Sequence, residues 1–281
     1  MSYKDHYMRT VIITGASDGI GAAAAQQMAS SDIRLILVGR SPEKTRKVAE
    51  ALGAEHHSAD FESLEQVREL GRKIKQSCAR IDVLAHNAGG LFPGPRRTED
   101  GFERTFQINH LAPYLLTNIL IDQLLQSRAS VINTSSIAAK IYGRLDLDDL
   151  QSWKNFRSNR AYGNAKLANI LFTKALHARF HEQGLSAVAF HPGVVATNFA
   201  ADSTNYFRWI YHGLVARFLT TSTEGGRRLS HFITSAPGTT WVSGEFYGSN
   251  LKPARTNPAA YESSIVQGHW RQSAAMLDVE W

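Results

Sequence analysis

Two short stretches pair residue types that could do chemistry. Tyr162 and Lys166 stand four apart in Tyr-Gly-Asn-Ala-Lys, at the start of a segment with helical spacing. On a helix, residues i and i+4 share a face, so the phenol and the ammonium would sit side by side. A free phenol has a pKa near ~10; lowering it by ~3 units, to make a useful acid–base group near neutrality, takes about 4 kcal/mol. A neighbouring ammonium is one source of that energy. The spacing alone does not establish the role, since Tyr and Lys fall four apart in many helices. The second stretch is Thr14-Gly15-Ala16-Ser17-Asp18-Gly19-Ile20-Gly21, followed by the small residues Ala22–Ala25. Glycines let a backbone turn sharply and approach a pyrophosphate, and a helix that follows offers unpaired N–H groups and its positive dipole end. The spacing G-x-x-x-G-x-G departs from the G-x-G-x-x-G fingerprint, and a simple tight turn would read the same way.

These residues need elements to hold them. Short, β-branched, nearly continuous apolar runs at Thr10–Thr14, Ile33–Val38, Ile81–Ala85, Ser130–Thr134 and Ser186–Phe190 read as buried parallel strands. Glu55–Ser58 and Glu245–Tyr247 are weaker candidates for two more. Helical spacing covers Gly19–Ser30, Pro42–Leu52, Leu64–Cys78, Glu99–Gln126, Ala161–Glu182 and Thr223–Thr234. This alternation predicts an α/β fold: a Rossmann-type, doubly wound parallel sheet of about seven strands with helices on both faces. No Pro/Gly/Ser-rich linker divides the chain, so residues 1–281 read as one domain, with 248–281 as a C-terminal tail. Residues 137–160 form a polar insertion. Residues 196–221 are apolar and aromatic-rich, and both stretches follow carboxyl ends of strands, where ligands bind in such sheets.

Composition excludes several classes. The chain has 281 residues, 43% hydrophobic and 20% charged, as an ordinary globular protein has. The net charge of +6 lacks a dense basic block. The clusters Lys44/Arg46/Lys47, Arg72/Lys73/Lys75, Arg96/Arg97 and Arg227/Arg228 read as solvated faces, so no nucleic-acid partner is expected. The single cysteine, Cys78, allows no intramolecular disulfide and no Cys-based zinc site. His177 and His181 lie at i, i+4, but no Glu follows His177 to complete a zinc-protease pattern, and no metal is expected. His110 and His191 read as pocket walls. Without a signal peptide or a ~20-residue apolar run, a soluble, cytoplasmic protein without a membrane span is expected.

The order of the motifs resembles the short-chain dehydrogenase/reductase family, from Thr10 to about Tyr247. The glycine motif matches Thr14–Gly21. The family's Asn-Asn-Ala-Gly appears as His86-Asn87-Ala88-Gly89, its helix asparagine as Asn109, and its serine strand as Val131–Ser136. Tyr162/Lys166 and Pro192-Gly193, with Thr197 beyond, complete the series. Leu145–Leu150, Thr98–Glu103 and Lys166–Asn169 resemble the retinol-dehydrogenase-like branch, which also includes oxidoreductases acting on other substrates.

The resemblance implies hydride transfer between a nicotinamide dinucleotide and a small-molecule carbonyl or alcohol, with an apolar substrate expected. Tyr162 would be the acid–base residue, and an oxidised nicotinamide would help lower its pKa. Lys166 would tune Tyr162 and hold the ribose hydroxyls. Ser136, rather than Ser135, would polarise the substrate oxygen, and Asn109 would help hold a relay water. Cofactor contacts would come from Gly15, Ser17, Asp18, Gly19, Ile20, Gly21, Arg40, Asp60, Phe61, Asn87, Ala88, Gly89, Tyr162, Lys166, Pro192, Gly193, Val195 and Thr197. Arg40, ending the second strand, would bond a ribose 2′-phosphate through its guanidinium fork, so NADP is expected over NAD. Asp18 cuts against this if its carboxylate points inward. Residues 196–221 would form a substrate lid, or else pad the core or a homo-oligomer contact. Two other readings compete: a redox-sensing regulator that binds a dinucleotide without turnover, and a sugar-nucleotide epimerase. The retained Ser136, Tyr162 and Lys166 argue against the first, and the short remainder after Tyr247 against the second.

Overall fold

The computed structural model describes residues 8–29, 32–194 and 220–281. Seven strands form one parallel sheet: β1 Arg9–Thr14, β2 Ile33–Gly39, β3 Glu55–Ser58, β4 Val83–His86, β5 Ser130–Thr134, β6 Ser186–Phe190 and β7 Phe246–Tyr247. Their order is β3-β2-β1-β4-β5-β6-β7, and every pairing between neighbouring strands is parallel. The chain reverses its direction of winding between β1 and β4, which opens a crevice at their carboxyl ends.

Side-chain alternation assigns the two faces. Ile12, Ile36, Leu84 and Val131 point into a core closed by α3 (Leu64–Ser77), α5 (Ala112–Ile119), α8 (Ser158–Phe180) and α10 (Ser263–Leu277). Val11, Ile13, Leu37, Ala85 and Ile132 point the other way, against α1 (Gly19–Met28), α2 (Pro42–Leu52) and α9 (Ser222–Thr234). Packing of α1 on α9 is close: a Cβ on Gly226 would lie 2.7 Å from Ala23 Cβ. No helix among the described residues is long and apolar enough to cross a membrane.

Three readings are corrected. The segment read as one helix over Glu99–Gln126 begins at Arg104 and is split. A short α4 (Arg104–Phe106) leads into a π-turn (Gln107–Leu111), then α5, then α6 (Ile121–Gln126), with a four-residue α7 (Ala138–Ile141) following β5. Pro113 explains the π-turn: it has no N–H for the carbonyl of Asn109 four residues back, and its ring crowds that carbonyl, so the helix widens. The residues read as a C-terminal tail, 248–281, carry the 15-residue helix α10. Its Trp270 and the terminal Trp281 pack on Tyr114, with ring centroids 5.2 and 5.0 Å away. Finally, Arg228 does not belong to a solvated face. Its side chain is mostly buried, donates to Pro192 O at 2.6 Å and pairs with Glu224 at 3.0 Å. The expected lid, 196–221, lies outside the described residues except for its last two, as do Val195 and Thr197.

Candidate active site

A cavity of about 920 Å³ opens at the crevice between β1 and β4. Its floor is the glycine turn. Gly15 has φ +67°, a conformation that L side chains rarely adopt, and a Cβ there would lie 2.7 Å from Ala88 Cα. At Gly21 a Cβ would collide with Gly15 O, 2.3 Å away. Asp18 is the N-cap of α1, its carboxylate accepting the Gly19 N–H at 2.7 Å.

Thr14 ties this turn to the loop after β4. Its hydroxyl donates to Ala85 O and accepts the N–H groups of Asn87 and Ala88 at 3.0 and 3.1 Å. Asn87 returns the link, its amide donating to the carbonyls of Thr14 and Gly15, both at 3.2 Å. Both amide hydrogens of Asn87 are thus engaged within the protein, joining two loops. Gly89 and Gly90 come next, and Asn109 clamps them: Gly90 N–H donates to its Oδ1 at 3.1 Å, and its Nδ2 donates to Gly90 O and Thr105 O. A Cβ on Gly89 would strike that Oδ1 and sit 3.2 Å from Lys166 Nζ. Both amide hydrogens of Asn109 are thus engaged within the protein, and Pro113, which has no N–H, cannot donate to its backbone carbonyl. Reasoning from the sequence missed Thr14 and Pro113, although a threonine opening the glycine turn and a proline inside a helical pattern are both visible there.

Lys166 and Tyr162 project from the first two turns of α8. Lys166 is 3% exposed. It donates to Thr134 O at 3.1 Å, and its ammonium lies 5.6 Å from the centre of the Tyr162 ring. Burial alone drives its pKa from 10.5 down to about 7. The ammonium has three N–H donors, and Thr134 O is its one acceptor among the described residues. Ser136, just past β5, lines the cavity and accepts the Ala138 N–H at 3.2 Å. Ser135 is turned away, its hydroxyl donating to Lys166 O at 2.7 Å and fastening α8 to the sheet.

At one end of the cavity, Arg40 is exposed beside Ser41 and Lys44 and makes no ion pair among the described residues. Asp60 accepts the Glu62 N–H and lies on the wall with Phe61. At the other end stand Leu91, Phe92, Ile141, Tyr142 and Val194. His191 lines the wall there, its Nδ1 buried without a partner and its pKa lowered to about 4 by burial and by Arg228, so it is neutral. His110 is not a pocket wall. It is fully buried, bonded to Ser273 Oγ at 2.9 Å and packed against the tilted ring of His269 with centroids 4.5 Å apart, and so pins the π-turn to α10. His177 and His181 are bonded through Nδ1 to Ser243 Oγ and Leu185 O.

The glycine cradle, the helix N-terminus and the underserved Lys166 ammonium fit a dinucleotide with a ribose diol. Comparison with known proteins agrees: a family model described as short chain dehydrogenase matches residues 9–206. The chain belongs to the short-chain dehydrogenase family. It is therefore an oxidoreductase that uses a nicotinamide dinucleotide, NAD(P), on C–OH and C=O groups. Among similar proteins, this dehydrogenase is 37% identical to the Streptomyces sp. (strain C5) protein named "Putative daunorubicin C-13 ketoreductase DnrU", over 96% of this chain and 92% of that one. It is 35% identical to human retinol dehydrogenase 13, over 97% of this chain and 85% of that one. A crystal structure of a Mycobacterium paratuberculosis protein superposes with TM-score 0.78 at 28% identity, covering 98% of this chain and 95% of that one.

Proposed function

We propose that the protein interconverts a bulky, apolar ketone or aldehyde and its alcohol, with NADP as the preferred cofactor. The observation that carries this reading is that Ser136, Tyr162 and Lys166 meet the glycine turn and Arg40 on one continuous cavity.

When bound, the nicotinamide supplies or accepts the hydride; the protein's part is orientation, charge and the proton. Tyr162 donates its phenolic proton to the carbonyl oxygen in reduction and takes it back in oxidation. Ser136 donates a hydrogen bond to that same oxygen and stabilises the negative charge that develops on it. Lys166 has two N–H donors for the ribose hydroxyls, and its charge favours the phenolate form of Tyr162. The carbonyl of Asn109 holds the water through which Lys166 reaches solvent. Asn87 and Asn109 also keep the loops after β1 and β4 in register.

Arg40 supports the choice of NADP, because its guanidinium has no competing carboxylate among the described residues and fits a 2′-phosphate bidentately. Asp18, the counter-argument, is employed as the cap of α1. An apolar substrate is supported by Ile141 (52% exposed), Tyr142 (44%) and Val194 (48%), which leave large hydrophobic surface open at the cavity. A free, buried Cys78 fits our placement of the enzyme in the cytoplasm.

The test is turnover of aromatic and long-chain ketones, followed by loss of reduced-nicotinamide absorbance, with wild type and Tyr162→Phe. The variant should lose at least about a hundredfold in kcat with cofactor affinity nearly unchanged. A variant retaining more than about a tenth of wild-type kcat would refute the acid–base role.

A further inference from the structure

At the substrate end of the cavity, which His191 also lines, stands a polar side chain that neither the proton chemistry nor the fold uses. Asn159 lies in the first turn of α8 and lines the cavity, and among the described residues its carboxamide makes no hydrogen bond. It stands three residues before Tyr162, so the two share a helix face with Cβ atoms about 5–6 Å apart. Helical side chains lean toward the N-terminus, which tips the Tyr162 ring over the turn carrying Asn159.

The surroundings make that carboxamide conspicuous. Leu91, Phe92, Ile141 and Val194 are apolar, and Tyr142 presents a large ring. Tyr142 is held beside the same stretch of α8: a Cβ on Gly163 would lie 2.8 Å from both Ala138 O and Tyr142 Cβ. Asn159 is partly exposed, so water can serve it while the cavity is open. A substrate that fills the cavity displaces that water, and the amide is then satisfied only if the substrate brings an oxygen of its own. A site with a hydrogen-bonding group placed this way discriminates against ligands lacking the partner by about tenfold or more.

We propose that Asn159 is a substrate-anchoring residue, whose carboxamide binds a second oxygen carried one or two carbons away from the reacting carbon. The preferred substrates are then apolar α- or β-oxygenated ketones and the corresponding alcohols. This rests on the assignment of Tyr162 as the residue facing the reacting oxygen.

The experiment uses two matched pairs of ketones with the full-length protein and NADPH: 2-hydroxyacetophenone against acetophenone, and 3-hydroxypropiophenone against propiophenone. An α-oxygen changes the reactivity of a ketone by itself, so the quantity compared is the ratio of kcat/KM within each pair, in wild type and in variants. In Asn159→Leu and Asn159→Ala the ratio should fall at least about tenfold for one pair, through loss on the oxygenated member, with acetophenone or propiophenone turned over as well as before or better. Unchanged melting temperature and NADPH affinity in either variant separate this from a folding defect. Ratios within about twofold of wild type for both pairs overturn the anchoring role and leave the oxidoreductase assignment standing. No turnover of any of the four ketones by wild type overturns the anchoring role together with the proposed preference for bulky, apolar ketones.

Discussion

Lys166 carries a stability cost that can be measured without any substrate. Burial lowers its pKa from 10.5 to about 7, which corresponds to about 5 kcal/mol of disfavoured charge in the cofactor-free protein. Below pH 7 the ammonium is charged in both the folded and the unfolded chain, and the full penalty applies. As pH rises through 7 the folded protein releases the proton while the unfolded chain keeps it until about 10.5. The unfolded state then binds more protons, and stability rises with pH across that window. Lys166→Met fills much the same volume with no charge, giving up the bond to Thr134 O, which is worth about 1 kcal/mol. The variant should therefore be more stable than wild type at pH 6 by about 3–4 kcal/mol, or roughly 5–10 °C in melting temperature for a chain of this size. The gap should shrink steadily toward pH 10. Thermal melts of both proteins without cofactor, at intervals from pH 6 to 10, give the difference with other titrations cancelled. A gap that stays constant or widens with pH would refute the reasoning.

Arg40→Ala should weaken NADPH binding about 10- to 100-fold, the loss expected for charge-assisted hydrogen bonds, while NADH affinity changes little. Competitive titration of the two cofactors checks this, and equal losses for both would refute the 2′-phosphate contact. Trp270→Ala, which empties the space between Tyr114 and Trp281, should cost about 3–5 kcal/mol in denaturant unfolding. An effect under about 1 kcal/mol would show that α10 is only loosely docked.

Much of the frame is legible in the order of the residues. Parallel strands covered on both faces have to be short, apolar and β-branched, so β1, β2, β5 and β6 stand out within a residue or so of their ends. Pro42–Leu52 is delimited correctly because Ser41 caps its start and Gly53, at φ +62°, ends it. The ordered motifs mark Ser136, Tyr162 and Lys166 as partners, and all three line one cavity. Helix α10 is not legible: its buried face includes Gly268, His269 and Ser273, which blur the apolar period by which a helix is recognised.

The sequence by itself determined most of the strands and helices and the glycine turn, and it marked the candidate reactive side chains, because these follow from local sterics, periodicity and residue chemistry. Only the tertiary structure decided what each polar group is free to do. Asn87 became a strut, His110 a bolt to α10 and Arg228 an anchor for Pro192, while Asn159 and the Lys166 ammonium kept donors in reserve. The physical reason is that a hydrogen-bonding group is committed by whichever partner lies within about 3 Å. Those partners sit far away along the chain, as Ser273 does from His110 and Thr134 from Lys166, so their proximity exists only once the sheet and its helices have packed.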